Sequence, residues 1–188
     1  MRTTPSLLTL ALTLCLGALP ATTRAAPDEG LYGMALEDLQ GRPFDAAALR
    51  GKVVLIVNTA SQCGLTPQYE ALEALHRRFE DRGLVLLGVP SNDFGAQEPG
   101  TAAEIAEFCR SRFDVTFPML AKAKVTGDEK CPLYRFLTTS SEAHRGEVRW
   151  NFTKFLLDRE GKVIGRFEPR VAPDAAALVE AVERALGE

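Results

Sequence analysis

Cys63 is the residue of this sequence that is best placed to act as a nucleophile. It lies in the segment 58–67, Asn-Thr-Ala-Ser-Gln-Cys-Gly-Leu-Thr-Pro, directly after an apolar run at 53–58 that predicts a buried strand. Ligands in open α/β sheets gather at the carboxyl ends of strands. We predict that Thr66 caps a helix whose first residue is Pro67. A thiol just before a helix N-terminus has a lowered pKa, so the segment indicates a reactive thiolate.

A helix end alone does not ionise a thiol fully. It contributes about 0.3–1 kcal/mol in exposed settings, and one pKa unit corresponds to about 1.36 kcal/mol. Two further segments offer neutral donors: 91–100, which follows a second apolar run and contains Gln97, and 149–154, which contains Trp150 and Asn151. Donors of this kind stabilise a thiolate and also the departing oxygen of a peroxide.

These three segments, taken in order, resemble the signature motifs of the glutathione peroxidase family. The resemblance implies a catalytic tetrad of Cys63, Gln97, Trp150 and Asn151, and the reduction of hydrogen peroxide and organic or lipid hydroperoxides. Three positions depart from common family patterns. Cys63 stands where some members carry selenocysteine, Thr59 where valine is common, and Asp93 where many members have glutamine or glutamate. An inward-pointing Asp93 would oppose thiolate formation.

Cys109 has two interpretations. Its surroundings resemble the thioredoxin-dependent subgroup of the family at the resolving cysteine, which implies that Cys109 condenses with a Cys63 sulfenic acid to form a disulfide. From the residues alone, Cys109 fits a buried helix face equally well, because Ile105 precedes it by one turn. If Cys109 resolves, the helix that begins at a Thr101–Glu104 capping box must loosen over residues 101–112.

The other cysteines and the histidines do not indicate a metal or cofactor site. Cys131 is interpreted as structural, and Cys15 falls in the N-terminal segment that we expect to be removed. The sequence has no Cys-x-x-Cys pair. His76 and His144 are far apart in sequence, and both are expected at the surface. We therefore expect no metal and no cofactor.

The pattern along the chain predicts an α/β protein with a thioredoxin-like fold. A hairpin is expected over 31–44, buried strands over 53–58 and 84–89, and a helix between these two strands. A second antiparallel pair flanks the turn 158–161, and an amphipathic helix ends the chain. Helices would flank a central mixed sheet on both faces. A Rossmann-like domain is disfavoured, because no glycine-rich phosphate loop follows the first buried strand.

Residues 1–25 read as a signal peptide. Arg2 precedes an apolar run, and small residues follow it up to Ala25. The run is shorter than the roughly 20 residues of a membrane span. We expect cleavage to leave residues 26–188 as one glutathione peroxidase-like domain, exported to the periplasm or secreted, without stable membrane insertion. The net charge of −3 over 188 residues argues against nucleic-acid binding.

The function expected from the sequence is a thiol-dependent peroxidase. Its reductant would be a thioredoxin-like protein or glutathione, and the short segment between Phe136 and Trp150 indicates a monomer without the insertion of the family's tetramers. Three alternatives stay open. They are a redox sensor on the same fold without significant peroxide turnover, a thiol–disulfide oxidoreductase, and a binding domain whose cysteines are structural.

Overall fold

The computed structural model describes Met1 and residues 30–187. The predicted signal peptide, residues 1–25, therefore lies outside the described residues except for its first. Within the described part of the chain, no helix is both long and apolar enough to cross a membrane.

The described fold begins with a short hairpin. A 3-10 helix over Gly30–Gly33 leads into β1 (Leu36–Glu37), which pairs antiparallel with β2 (Pro43–Phe44). The Asp38 carboxylate closes the connection, because it accepts the backbone N–H of Gln40 and that of Arg42 at 2.9 Å each. The hairpin predicted over 31–44 is confirmed, but its strands are shorter than expected.

A four-stranded mixed sheet forms the centre of the molecule. It consists of β3 (Val53–Thr59), β4 (Leu84–Pro90), β5 (Lys154–Leu157) and β6 (Val163–Phe167), in the order β4-β3-β5-β6. The strand β4 runs parallel to β3, whereas β5 is antiparallel to both β3 and β6. Alternate residues of β3 contribute to different apolar cores on the two faces, which explains the uninterrupted apolar run in the sequence.

Four helices cover this sheet: α1 (Gln68–Phe79), α2 (Ala102–Phe113), α3 (Pro132–Thr139) and α4 (Ala176–Leu186). The first core contains buried residues of α1, α2 and α4. The second contains residues of α3 and Leu31. This arrangement confirms the predicted mixed sheet with flanking helices. Cys63 and Cys109 both belong to the first core.

Two local expectations have different outcomes. The predicted capping box of α2 is confirmed: Thr101 Oγ1 accepts the backbone N–H of Glu104 at 3.3 Å, and Glu104 Oε2 accepts that of Thr101 at 2.7 Å. The expectation of a surface position for His76 is wrong. The residue is 8% exposed, and its ring packs edge-on against Phe117 with a centroid distance of 6.0 Å.

Candidate active site

Cys63 lies in a tight turn between β3 and α1. The backbone N–H of Cys63 donates to Thr66 Oγ1 at 3.1 Å, and the same hydroxyl donates to the carbonyl of Ala60 at 2.8 Å. The helix begins at Gln68, with Pro67 as its cap residue. The prediction that Thr66 caps the helix and Pro67 begins it is therefore wrong, because the Thr66 hydroxyl is used to close the turn around the cysteine.

The sulfur of Cys63 receives a backbone donor from this turn. The N–H of Leu65 points at Sγ with a distance of 3.4 Å, and Cys63 as a whole is 8% exposed. The donor comes from the turn that precedes α1 and not from the helix itself. An anionic sulfur is thus stabilised by a fixed backbone dipole close to the protein surface.

Gln97 is held against the nucleophile turn at both its backbone and its side chain. Its carbonyl accepts the N–H of Gln62 at 3.0 Å, and its Oε1 accepts Nδ2 of Asn151 at 2.9 Å. Within residues 30–187, the Nε2 group of Gln97 has no intramolecular acceptor. Because Oε1 is occupied by Asn151, the end of the amide that stays available is a hydrogen-bond donor.

Trp150 lies at the rim of the site and not in the core, since 41% of the residue is exposed. Its ring contacts Phe94 at a centroid distance of 5.8 Å. Its carbonyl accepts Nδ2 of Asn58 at 3.1 Å, and Oδ1 of Asn58 accepts the N–H of Thr153 at 3.0 Å. Asn58, at the end of β3, therefore fixes the segment that carries both Trp150 and Asn151.

These side chains surround one open depression. It is lined by Cys63, Gly64, Leu65, Gln97, Trp150, Glu168, Pro169 and Arg170. Three of the four residues of the predicted tetrad line it directly, and Asn151 reaches it through Gln97. The 168–170 wall was not predicted from the sequence.

A buried lysine anchors that wall. The Lys154 ammonium donates to the carbonyl of Val171 at 2.7 Å, to that of Pro169 at 3.2 Å and to Oε1 of Gln68 at 2.5 Å. Gln68 also donates to Pro169 at 2.8 Å. Lys154 is 0% exposed, and burial lowers its pKa to about 8. Sequence reasoning missed this role, because nothing in the segment Phe152-Thr153-Lys154 distinguishes a buried lysine from an exposed one.

Asp93 does not point into the depression. Its carboxylate accepts the backbone N–H of Val125 at 2.7 Å and that of Thr126 at 3.3 Å. The side chain therefore holds the 125–126 segment in place. Its carboxylate does not line the depression that contains Cys63. The other departure from the family pattern, Thr59, is buried at the end of β3.

Cys109 does not line the depression; it lies on the buried face of α2 and belongs to the first core. It is 2% exposed, and burial raises the pKa of its thiol to about 11. Cys63, Cys109 and Cys131 are all free thiols in this structure. Cys131 precedes α3 as its cap residue, and burial raises the pKa of its thiol as well.

Comparison with known proteins agrees with this geometry. The glutathione peroxidase family model matches residues 31–138. The chain is 50% identical over 144 residues to the glutathione peroxidase-like peroxiredoxin gpx1 of Schizosaccharomyces pombe, covering 76% of this chain and 91% of that protein. It is 47% identical over 160 residues to the hydroperoxy fatty acid reductase gpx1 of Synechocystis, covering 81% and 95%.

Solved structures extend the comparison to the fold. The crystal structure of Trgpx in its apo form has a TM-score of 0.69 and 34% identity, covering 85% of this chain and 96% of that one. A thioredoxin-family thiol:disulfide interchange protein of Chlorobium tepidum has a TM-score of 0.59 at 19% identity, covering 80% and 91%, which shows the shared thioredoxin-like fold. By its sequence motifs, its fold and these relatives, the chain belongs to the glutathione peroxidase family.

Proposed function

We propose that this protein is a thiol-dependent peroxidase in which Cys63 is the attacking nucleophile. The Cys63 thiolate attacks one peroxide oxygen, so that an S–O bond forms, the O–O bond breaks, and the other oxygen leaves as an alcohol or water after taking up a proton. The observation that carries this proposal is the convergence of Cys63, Gln97 and Trp150 on one open depression. Donors aimed at the departing oxygen lower the barrier to its loss.

The roles of the two amides differ. Gln97 supplies N–H donors at the sulfur and the peroxide, whereas Asn151 orients Gln97 through its hydrogen bond to Oε1. Trp150 supplies an indole N–H at the rim. All of these donors are neutral, so they stabilise developing negative charge without holding a fixed counter-charge that would bind other anions.

We propose that Cys109 resolves the oxidised nucleophile. The sulfenic acid of Cys63 and the thiol of Cys109 give a disulfide and water. Cys109 lies on the buried face of a capped helix. We propose that α2 loosens locally during this reaction, so that the buried thiol reaches Cys63 with the two α-carbons within disulfide range, about 7 Å.

The site also suggests the class of substrate and reductant. The depression is open and flanked by an exposed indole, which suits bulky organic hydroperoxides as well as hydrogen peroxide. One relative is named a hydroperoxy fatty acid reductase and another a peroxiredoxin. We propose a thioredoxin-like protein as reductant, with glutathione as the alternative, and a monomeric enzyme exported to the periplasm or secreted.

NADPH-coupled turnover tests this function. The chain from residue 26 is assayed with hydrogen peroxide and an organic hydroperoxide, using a thioredoxin system and, in parallel, glutathione with its reductase. We expect turnover with thioredoxin that disappears in both Cys63→Ser and Cys109→Ser. Turnover with glutathione alone that is indifferent to Cys109 would remove the resolving role. An absence of turnover with either reductant would favour a redox sensor.

A further inference from the structure

The carboxyl group of Glu98 is buried and has no role in the mechanism proposed above. Glu98 follows Gln97 directly, and the residue is 0% exposed. Neither carboxyl oxygen makes a well-formed hydrogen bond in the described part of the chain, although the hydroxyl and the backbone N–H of Ser61 lie near enough to influence the carboxyl. The Lys122 ammonium donates instead to the backbone carbonyls of Glu98 and Gly100, at 3.3 and 2.7 Å. Buried polar atoms in native proteins are nearly always paired, so a buried carboxyl without a well-formed hydrogen bond requires an explanation.

Glu98 lies between the loop of the nucleophile and the helix of the resolving cysteine. A surface opening joins these two segments and is lined by Ser61, Gln62, Glu98, Pro99, Gly100, Glu104, Ile105 and Phe108. Two of these residues are sequence neighbours of the cysteines: Gln62 directly precedes Cys63, and Phe108 directly precedes Cys109. The negative charge of Glu98 raises the pKa of Cys109, so the carboxyl is within electrostatic range of the buried thiol.

Disulfide formation requires Cys109 to lose a proton. Because burial raises its pKa to about 11, the thiolate fraction at neutral pH is only on the order of one part in ten thousand. Tyr69 and Glu98 are the titratable groups that act on Cys109. Burial raises the pKa of Tyr69 well above 10, so its hydroxyl keeps its proton. Glu98 is the remaining candidate base.

The environment of Glu98 suits this task. Burial raises the pKa of its carboxyl, while Ser61 and the Lys122 ammonium act in the opposite direction. A carboxylate of raised pKa is a stronger base than an exposed one, and general bases work best when their pKa approaches the working pH. Glu104 is another carboxylate that lines this opening, but it is exposed and already accepts the backbone N–H of Thr101, so it is less suited to act as the base.

We propose, on the basis of the two-cysteine function above, that Glu98 is the proton acceptor for Cys109 during resolution. As α2 loosens, the Cys109 thiol transfers its proton to the Glu98 carboxylate. The resulting thiolate attacks Sγ of the Cys63 sulfenic acid, the S–S bond forms and the S–O bond breaks. The departing hydroxide takes the proton from Glu98 and leaves as water, which returns Glu98 to its carboxylate form.

The test is a single-turnover measurement on the chain from residue 26. Reduced wild type and Glu98→Gln are mixed with hydrogen peroxide and quenched at intervals. Intact-mass analysis then measures the fractions of sulfenic acid and of disulfide at each time. We expect Glu98→Gln to slow the second step about 100-fold, as typical of a lost general base, with the first step changed less than about two-fold. Glu104→Gln is the matched control. It lines the same opening, and glutamine preserves the capping box.

The pH profile separates a base from a structural residue. In wild type, the resolution rate should rise with the ionisation of Glu98 and then level off. In Glu98→Gln it should keep rising about ten-fold per pH unit as the Cys109 thiol itself ionises, because burial still raises the pKa of that thiol. If the variant does not fold, the wild-type profile alone decides, and a rate that climbs without a plateau up to pH 9 overturns the proposal.

The remaining outcomes are equally decisive. An unchanged resolution rate in Glu98→Gln, or equal slowing of both steps, overturns the role of Glu98 and leaves Cys109 as the resolver. A wild type that forms no disulfide between Cys63 and Cys109 overturns the two-cysteine function itself, and this inference with it.

Discussion

The side-chain amide of Asn151 donates a 2.9 Å hydrogen bond to Oε1 of Gln97. This bond fixes which end of the Gln97 amide is free, and the free end carries the N–H groups that peroxide reduction needs. Asn151 is itself buried. It therefore acts as a positioning residue, whereas Gln97 is the donor that reaches the depression.

Replacement of Asn151 by alanine should lower the rate constant for oxidation of Cys63. Without the bond, the Gln97 amide can rotate and present its oxygen to the sulfur, so we expect about a ten-fold loss, less than for removal of a transition-state donor itself. Stopped-flow oxidation of reduced protein measures this rate. Gln62→Ala is the control, because the Gln62 side chain is exposed and the residue contacts Gln97 through its backbone N–H. Equal losses in both variants would contradict the positioning role.

The Thr66 hydroxyl should be essential to the nucleophile turn. It accepts the Cys63 N–H and donates to the Ala60 carbonyl. Thr66→Val removes both bonds and leaves buried groups unpaired, which should cost about 1–3 kcal/mol in the free energy of unfolding and slow the reaction of Cys63 with peroxide. Thr66→Ser keeps the hydroxyl and should keep the rate. Chemical denaturation measures the free energy of unfolding, and alkylation kinetics measure the reactivity of the Cys63 thiol. A valine variant that matches the serine variant would refute the assignment.

Lys154 should make stability depend on pH in the alkaline range. Its pKa is about 8 in the fold, below its ordinary value of 10.5. Between these values the unfolded state binds more protons, so the free energy of unfolding contributed by Lys154 rises with pH, by an amount on the order of 3 kcal/mol. Cys109 acts in the opposite direction, because its folded pKa of about 11 exceeds its ordinary value of 9.0.

Comparison of variants isolates the lysine. The difference in unfolding free energy between wild type and Lys154→Met should shift in favour of wild type between pH 8 and pH 10.5. Lys162→Met, which alters an exposed lysine, is the matched control. A flat difference for Lys154→Met would mean that Lys154 does not titrate in this window.

Oxidation should loosen α2. The helix holds Cys109 in the core and is closed at its start by the Thr101–Glu104 capping box. If formation of a disulfide with Cys63 opens this helix, as proposed above, amide exchange over residues 101–112 should be faster in oxidised than in reduced protein. Cys109→Ser should show no such difference after the same peroxide treatment. Equal exchange in reduced and oxidised wild type would argue against the resolving role.

The sequence was sufficient to predict the features that follow from hydrophobic periodicity and from local motifs. The apolar run at 53–58 predicted a strand buried on both faces, and the three motifs predicted residues that the fold brings to one depression. Thr66 was misassigned, because a hydroxyl before a proline fits both a helix cap and a turn closure. Only the positions of the Cys63 N–H and the Ala60 carbonyl decide between them.

Burial of charged residues was the part that the sequence did not reveal. Lys154 stands at the start of an apolar run and Glu98 lies between Gln97 and Pro99, and neither position shows from the sequence whether the side chain is buried. Their enclosure depends on other segments of the chain. The 169–171 loop and α1 enclose Lys154, and the nucleophile turn packs with the start of α2 around Glu98. Contacts of this kind depend on the tertiary arrangement and leave no periodic signal.

The most direct test of the two-cysteine peroxidase is to identify the product of one oxidation event. Fully reduced protein is treated with one equivalent of hydrogen peroxide, alkylated, and digested without reductant for peptide mass analysis. We expect a single intramolecular disulfide between Cys63 and Cys109, with Cys131 alkylated. A Cys63 that remains as a sulfenic acid or forms a disulfide with Cys131, while Cys109 stays alkylated, would contradict it.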